Sequence, residues 1–172
     1  MIEIPLTRGK YTIIDDADAD LADIKWYAND GKGEFYAARC IRLRPCIRKT
    51  VRMHRVILER KLKRELRAGE VVDHIDGSGL NNSRDNIRLA TYTENSANAR
   101  KSSGVTTSRY RGVSWHKATG KWQACIRDHH KYTYIGLFDS EETAARVYDK
   151  HAIRIFGEFA KLNFQGDEEM ER

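Results

Sequence analysis

A chain of 172 residues with 40% hydrophobic and 33% charged side chains holds one ordinary domain or two small ones and has the make-up of a globular, soluble protein. Its longest apolar runs fall well short of a membrane span, and the opening MIEIPLTRGKYTII lacks the basic head and apolar stretch of a signal peptide. The net charge of +6 is unevenly spread: Lys and Arg against Asp and Glu give −4 over residues 1–36, +10 over 37–68, −2 over 69–100, +5 over 101–164 and −3 over the last eight. A block of +10 in 32 residues calls for a polyanion, and nucleic acid fits better than an anionic membrane surface because the block has no clean amphipathic helical face.

In chain order, residues 4–14 and 34–58 are rich in strand formers, with YTIID, FYAARCIRL and TVRMHRVIL carrying aromatic and β-branched side chains. Between them DDADADLADIKWYAND is acidic at its start and can open a short helix, with carboxylates at its positive end. Two roles are open to this first acidic region: packing beneath the downstream core, or repelling DNA from a wrong approach. Alternation around Arg39, Ile41 and Leu43 against Cys40, Arg42 and Arg44 predicts a strand bearing a row of arginines. HRVILERKLKREL has helical periodicity through Val56, Ile57, Leu58 and Leu62, ending before Gly69.

EVVDHID then reads as a strand delivering Asp73 and His74 to its end, GSGLNNSRDN as a loop, and NIRLATYTENSANAR as an apolar anchor followed by a helix capped by Thr91 or Thr93. ARKSSGVTTSRY, residues 99–110, has linker composition. After it, YRGVSW, KWQACIR and YTYIGLF predict three short strands. DSEETAARVYDKHAIRIFG predicts a helix capped by Asp139 or Ser140 and stopped at Gly157. Cys40, Cys46 and Cys125 lack metal-ligand spacing and read as reduced thiols of a cytosolic protein.

Cutting a phosphodiester requires a base for water, a cation for the developing charge, and a positioned phosphate. His74 titrates in the right range to be the base. Asp73 and Asn95 are oxygen donors of the kind magnesium takes, an ion that keeps several waters and needs few protein ligands. Neighbours on a strand point to opposite faces, so Asp73 and His74 serve one site only at a bend or strand end. Asn98, one turn further along the helix, is a rival to Asn95. Asn81 and Asn82 read as loop residues bonding their own backbone. Asp76 is read as a turn cap ahead of a second ligand, and His54 as a buried, hydrogen-bonded histidine. Arg84, Arg88 and Arg100 are candidates to clamp phosphates, with plain solvation the competing reading.

The set Asp73-His74, Asn86 twelve residues after the histidine and Asn95 twenty-one after it resembles the HNH endonuclease motif. The similarity is to its phage and intron homing branch, in which asparagine stands at the last histidine. LNNSRDNIRLAT and the upstream MHRVIL, with His54, are similar to that branch too. The resemblance implies a ββα-metal core with His74 as general base, Asp73 and Asn95 on one divalent cation (Mg2+, with Mn2+ as the alternative), and Asn86 bracing the loop that orients His74.

Residues 109–164 resemble the plant ethylene-response-factor (apetala-two) DNA-binding domain through YRGV, GKW, IGLFDSEETAARVYDKHAIRIFG and KLNF in order. This implies that the sheet, not the helix, meets DNA, with Arg111, His116, Arg127, Tyr132 and Tyr134 at matching positions. Ser114 stands where the plant domains often have arginine, and Tyr134 where they often have tryptophan, so base preference is not transferable. Trp115 and Trp122 are expected in the core, with Trp122, Ala124 and Ile126 facing Ala144, Ala145, Tyr148 and Ala152.

The expectation is therefore an α+β chain: a nuclease region over residues 1–98, a linker over 99–108, a three-stranded sheet with one helix over 109–164, and an acidic tail over 165–172. Its function would be metal-dependent, site-directed cleavage of double-stranded DNA, nicking one strand per monomer, in the cytoplasm of a bacterial host if phage-encoded. Arg39, Arg42, Arg44, Arg84 and Arg88 would add phosphate contacts. The competing reading is a catalytically silent DNA-binding regulator built on such a nuclease. A structural RNA-binding protein is a third.

Overall fold

The computed structural model describes residues 1–31, 33–99, 107–128 and 131–164. Arg100, most of the expected linker and the acidic tail lie outside the described residues. Two compact units emerge, Met1–Asn95 and Ser96–Arg172. Helices and antiparallel sheets are mixed in the way the α+β expectation requires.

The first unit opens with a hairpin of β1 (Ile2–Pro5) and β2 (Tyr11–Ile14), then a 3-10 helix over Asp16–Asp23. A three-stranded antiparallel sheet comes next, β3 (Tyr27–Asp30), β4 (Phe35–Arg44) and β5 (Ile47–Arg52) in that order. The basic strand expectation is met by β4. The strand-rich stretch through TVRMHRVIL ends at Arg52, and the helix expected over HRVILERKLKREL begins at Met53 as α1 (Met53–Leu62), which Lys63 ends in the left-handed conformation. The helix wins there because it buries Met53, Ile57 and Leu58 together, one apolar stripe at helical spacing.

β6 (Glu70–His74) and β7 (Ile87–Thr91) pair antiparallel, with Asp73 opposite Arg88 and His74 opposite Ile87. α2 (Tyr92–Asn98) begins directly after β7. Thr91 is its cap, in a reciprocal arrangement: the Glu94 N–H donates to Thr91 Oγ1 at 3.3 Å, and the Thr91 N–H donates to Glu94 Oε2 at 2.7 Å. Two strands and a helix thus come in the order the motif requires. Ile4, Ile14, Leu21, Trp26, Met53, Ile57, Leu58 and Ile87 share one buried core, so the N-terminal hairpin and acidic segment are built into this unit.

The acidic segment is joined to the rest by one buried carboxylate. Asp18 is fully buried, and its two oxygens take Arg84 Nε at 2.8 Å and Arg60 NH1 at 3.1 Å. Arg60 also grips Asp20 with two nitrogens, at 2.8 and 2.7 Å. Burial alone would raise the Asp18 carboxyl, but the guanidiniums of Arg84 and Arg60 outweigh it and hold the pKa below 3.8.

In the second unit β8 (Val113–His116), β9 (Lys121–Asp128) and β10 (Lys131–Phe138) form an antiparallel sheet, with β9 central. Against it packs α3 (Glu141–Phe156), whose first turn is capped by Ser140 Oγ accepting from the Thr143 N–H. Ala124, Ala144, Ala145 and Val113 form one buried group and Ile126, Tyr148 and Ala152 another, as alternation predicts. Small residues on α3 let helix and sheet approach closely. Gly112 belongs to the same requirement: its φ is +70°, and a Cβ there would lie 2.1 Å or less from the Tyr148 ring. KLNF closes the module through Asn163, whose N–H and amide donate to buried Asp149 at 2.9 to 3.0 Å while its Oδ1 accepts the Arg111 N–H at 2.6 Å.

Asp18→Ala should destabilise the protein by about 2–3 kcal/mol in urea unfolding, less than the roughly 3–5 kcal/mol of a fully buried pair because Arg60 and Arg84 can rehydrate. A carboxyl depressed in the folded state stabilises above its unfolded pKa, so the wild-type margin over this variant should shrink as pH falls through and below the ordinary carboxylate range.

Candidate active site and DNA interface

His74 is the last residue of β6, and the Gly77 N–H closes a turn onto its carbonyl at 2.9 Å, so the strand ends at the histidine. The imidazole is buried, and Asn82 Oδ1 lies 3.1 Å from its Nε2. Orientation of the Asn82 amide is set by its other end. Asn82 Nδ2 donates to Thr12 Oγ1 at 2.7 Å, and Thr12 Oγ1 donates in turn to the Leu80 carbonyl at 2.8 Å. With the amide nitrogen turned to Thr12, the oxygen faces the imidazole, so Nε2 carries the proton and Nδ1 is the basic nitrogen of the neutral ring. Burial lowers the His74 pKa and the Asn82 bond opposes it; the net shift is down, toward the base form at neutral pH.

Two aromatic neighbours wall the imidazole in. The His54 ring centroid is 5.1 Å away and nearly edge-on, and Tyr36 packs against both histidines at 5.4 and 6.1 Å. Burial drives the His54 pKa down to about 3, so it is neutral and buried, as the sequence predicts. Tyr36 brings the loop close. A Cβ on Gly79 would stand 2.5 Å from the Phe35 carbonyl oxygen and 2.6 Å from the Tyr36 ring, so this loop position admits glycine alone without a shift.

The Asn86 side chain makes three hydrogen bonds within the loop between β6 and β7. Asn86 Nδ2 donates to Asp76 Oδ1 at 3.0 Å and to the Asn81 carbonyl at 2.8 Å, while its Oδ1 accepts the Asp76 N–H at 3.1 Å. Asp76 caps the turn, accepting the Ser78 N–H at 2.7 Å. Asn81 stays within the loop, as expected. Asn82 does not. It is fully buried, bonded to His74 and to Thr12 seventy residues upstream, and it is the site residue that reading the sequence misses. Nothing local separates it from Asn81, because its partners arrive only through the fold.

Asp73 is buried and paired with Arg88, Nε to Oδ2 at 2.8 Å. Arg84 is held by Asp18. Both arginines thus engage carboxylates of this chain. Among the described residues no three His, Cys, Asp or Glu gather as a metal cluster. Asp73 offers a carboxylate and half-buried Asn95 in α2 a carboxamide, each a hard-oxygen donor of the type a water-rich magnesium ion takes.

On the second unit, the outward face of the sheet carries Arg127 opposite Tyr132 and Cys125 opposite Tyr134. Tyr132 and Tyr134 are 59% and 54% exposed, two aromatics presented to solvent on a structured surface. His116 lies at the β8–β9 turn, with Nδ1 2.8 Å from Thr119 Oγ1. Arg111 directs its guanidinium to the backbone carbonyls of Ala97 and Ala99, within the same unit. Trp122 packs on the apolar group, but Trp115 only abuts Trp122, ring centroids 5.0 Å apart, and is 39% exposed, so the core expectation holds for one tryptophan and not the other.

The HNH endonuclease family profile matches residues 51–97, the stretch from α1 through α2 that holds His54, Asp73, His74, Asn86 and Asn95. The chain belongs to the HNH endonuclease family. An AP2 domain profile matches residues 108–158, so this HNH protein carries an AP2 domain behind its nuclease region. Protein 3.8 of Escherichia phage T7 is 36% identical over 94 residues, 55% of this chain and 76% of the phage protein. An uncharacterized HNH endonuclease of Acanthamoeba polyphaga mimivirus is 33% identical over 113 residues, 66% of this chain and 57% of the viral one. APETALA2-like protein 2 of rice, Oryza sativa, is 45% identical over 58 residues, and the match covers 34% of this chain but only 13% of the plant protein. No helix among the described residues of this HNH protein is long and apolar enough to cross a membrane.

Asn82→Ala should cost about 1–3 kcal/mol in thermal unfolding, the range for orphaning buried partners. It should also free the His74 ring, read as loss of a single slow-exchanging imidazole N–H resonance.

Proposed function

We propose that this HNH protein is a metal-dependent DNA endonuclease of the homing type, and the observation that carries the reading is His74 held by Asn82 as the Nε2–H tautomer beside Asp73. In that state Nδ1 accepts the proton of an attacking water, and the Nε2–H···Oδ1 bond strengthens as the ring becomes cationic. Burial keeps the resting imidazole neutral and ready to act as base. Asp73 and Asn95 would hold one divalent cation, Mg2+ or alternatively Mn2+, which when bound supplies charge neutralisation at the phosphate and its leaving oxygen. Arg88 fixes the orientation of the Asp73 carboxylate. Asn86 maintains the loop, and with it the direction of His74.

DNA is held by the basic residues Arg39, Arg42 and Arg44 in the first unit and read by the outward sheet face with Arg127, Tyr132 and Tyr134 in the second, with His116 and Arg111 at its margin. β-structure enters the major groove as a helix does. Domain limits of 1–98 for the nuclease region and 109–164 for the reader suit this division of labour. With one motif per chain, a monomer cuts one strand at a time.

The Asp73–Arg88 ion pair favours a second reading, a silent DNA-binding regulator, since a carboxylate neutralised by a guanidinium has less charge to offer a cation. Plasmid relaxation separates the two. With Mg2+ the wild type should convert supercoiled plasmid to open circle, EDTA should stop it, and His74→Ala should lower the rate by at least about 100-fold with plasmid binding retained. Wild-type binding without nicking, in either Mg2+ or Mn2+, would establish the regulator instead.

A further inference from the structure

β3 covers β4 only over Phe35–Ala38. From Arg39 to Arg52 the two strands β4 and β5 pair only with each other, across a turn at Pro45 and Cys46. Every residue from Arg42 to Thr50 is exposed. This is a two-stranded ribbon projecting by about 20 Å, a length at which such a ribbon has little independent stability.

Its chemistry is equally one-sided. Residues 35–58 contain seven Lys and Arg and not one Asp or Glu. Arg42 stands directly opposite Arg48 in the register, a like-charge pair that works against strand pairing. Elsewhere in this unit arginines meet carboxylates: Arg60 and Arg84 at Asp18, Arg64 at Glu70, Arg88 at Asp73. At the closed end stand Leu43 and Ile47, 55% and 50% exposed, flanking Pro45. A ribbon made only for backbone phosphates has no use for an apolar tip, and one made for a protein groove has no use for opposed arginines.

We propose that the β4–β5 ribbon is a DNA wedge: Leu43 and Ile47 insert between base pairs from the minor groove while Arg42 and Arg48 hold the flanking phosphates. The proposal rests on the reading of this unit as acting on DNA, and adds that the unit deforms what it binds. Apolar side chains inserted from the minor groove unstack a base step and kink the duplex, and paired phosphates remove the repulsion between the opposed arginines. The minor groove of B-DNA, about 6 Å wide, is narrower than a two-stranded ribbon, so entry and unstacking are coupled. A kinked, unwound step places a backbone phosphate out of its regular helical path, where a buried imidazole can be reached.

The test needs no knowledge of the target sequence. Closed circular plasmid is relaxed by a type IB topoisomerase in EDTA, which blocks nicking, with the full chain bound at low salt, and the linking number is read after protein removal. Wild type should lower the linking number in proportion to bound protein. Leu43→Ser with Ile47→Ser, both surface changes, should remove most of that shift at matched occupancy. Arg42→Gln with Arg48→Gln should weaken binding and reduce the slope of log affinity against log salt by about 2, leaving the shift per bound molecule. No shift with wild type, no plasmid binding, or a shift that survives the Leu43 and Ile47 substitutions at matched occupancy overturns the proposal. A shift without nicking when Mg2+ is supplied would leave the wedge standing and remove the nuclease reading.

Discussion

The buried carboxamide of Asn82 is the link on which the arrangement around His74 depends. One end takes the His74 Nε2–H and the other donates to Thr12, which itself bonds the Leu80 carbonyl. The backbone repeats the connection, with Ile13 bonded to Leu80 on one side and to Asn82 on the other. The N-terminal hairpin is thereby sewn to the loop that follows the histidine. Each group in this chain of bonds is buried or half-buried, so each bond is worth more kept than its mean strength suggests: its loss strands a polar atom away from water. An imidazole held in one tautomer depends on such a rigid support more than on any single neighbour.

Charge is distributed by the same logic. Carboxylates inside the first unit are placed where a guanidinium can be fixed: Asp18 under Arg60 and Arg84, Asp73 beside Arg88, Glu70 at Arg64. The β4–β5 ribbon carries no Asp or Glu of its own against its basic residues. The AP2 module separates its tasks by face instead. Alternation along β9 buries Ala124 and Ile126 against the small residues of α3 and turns Arg127 outward beside Tyr132. A module of this size folds around the alanines of one helix and leaves Tyr132 and Tyr134 exposed on the opposite sheet face.

Local rules account for much of what the sequence made legible. The second unit was readable almost element by element, because period-2 alternation, a Ser140 cap and a helix-stopping glycine act within a few residues of one another. The elements that carry Asp73, His74 and Asn86 were readable for a related reason: a strand, a turn-rich loop and a capped helix are short-range features. Asp76 and Asn81, as loop residues, conform to ordinary turn chemistry. His54 was legible from its apolar surroundings.

Tertiary structure alone decided the rest. HRVIL belongs both to a strand-rich stretch and to a segment of helical periodicity, and the shared core with Ile14 and Ile87 settles it as helix from Met53. Arg84 reads like any exposed cation until Asp18, sixty-six residues away, is folded beneath it. Asn82 is indistinguishable from Asn81 until Thr12 and His74 close on it. A sequence determines composition, periodicity and capping because those interactions span one turn or one strand. Which polar groups share a buried hydrogen bond depends on where distant backbone segments come to rest, and that is settled by packing of the whole core.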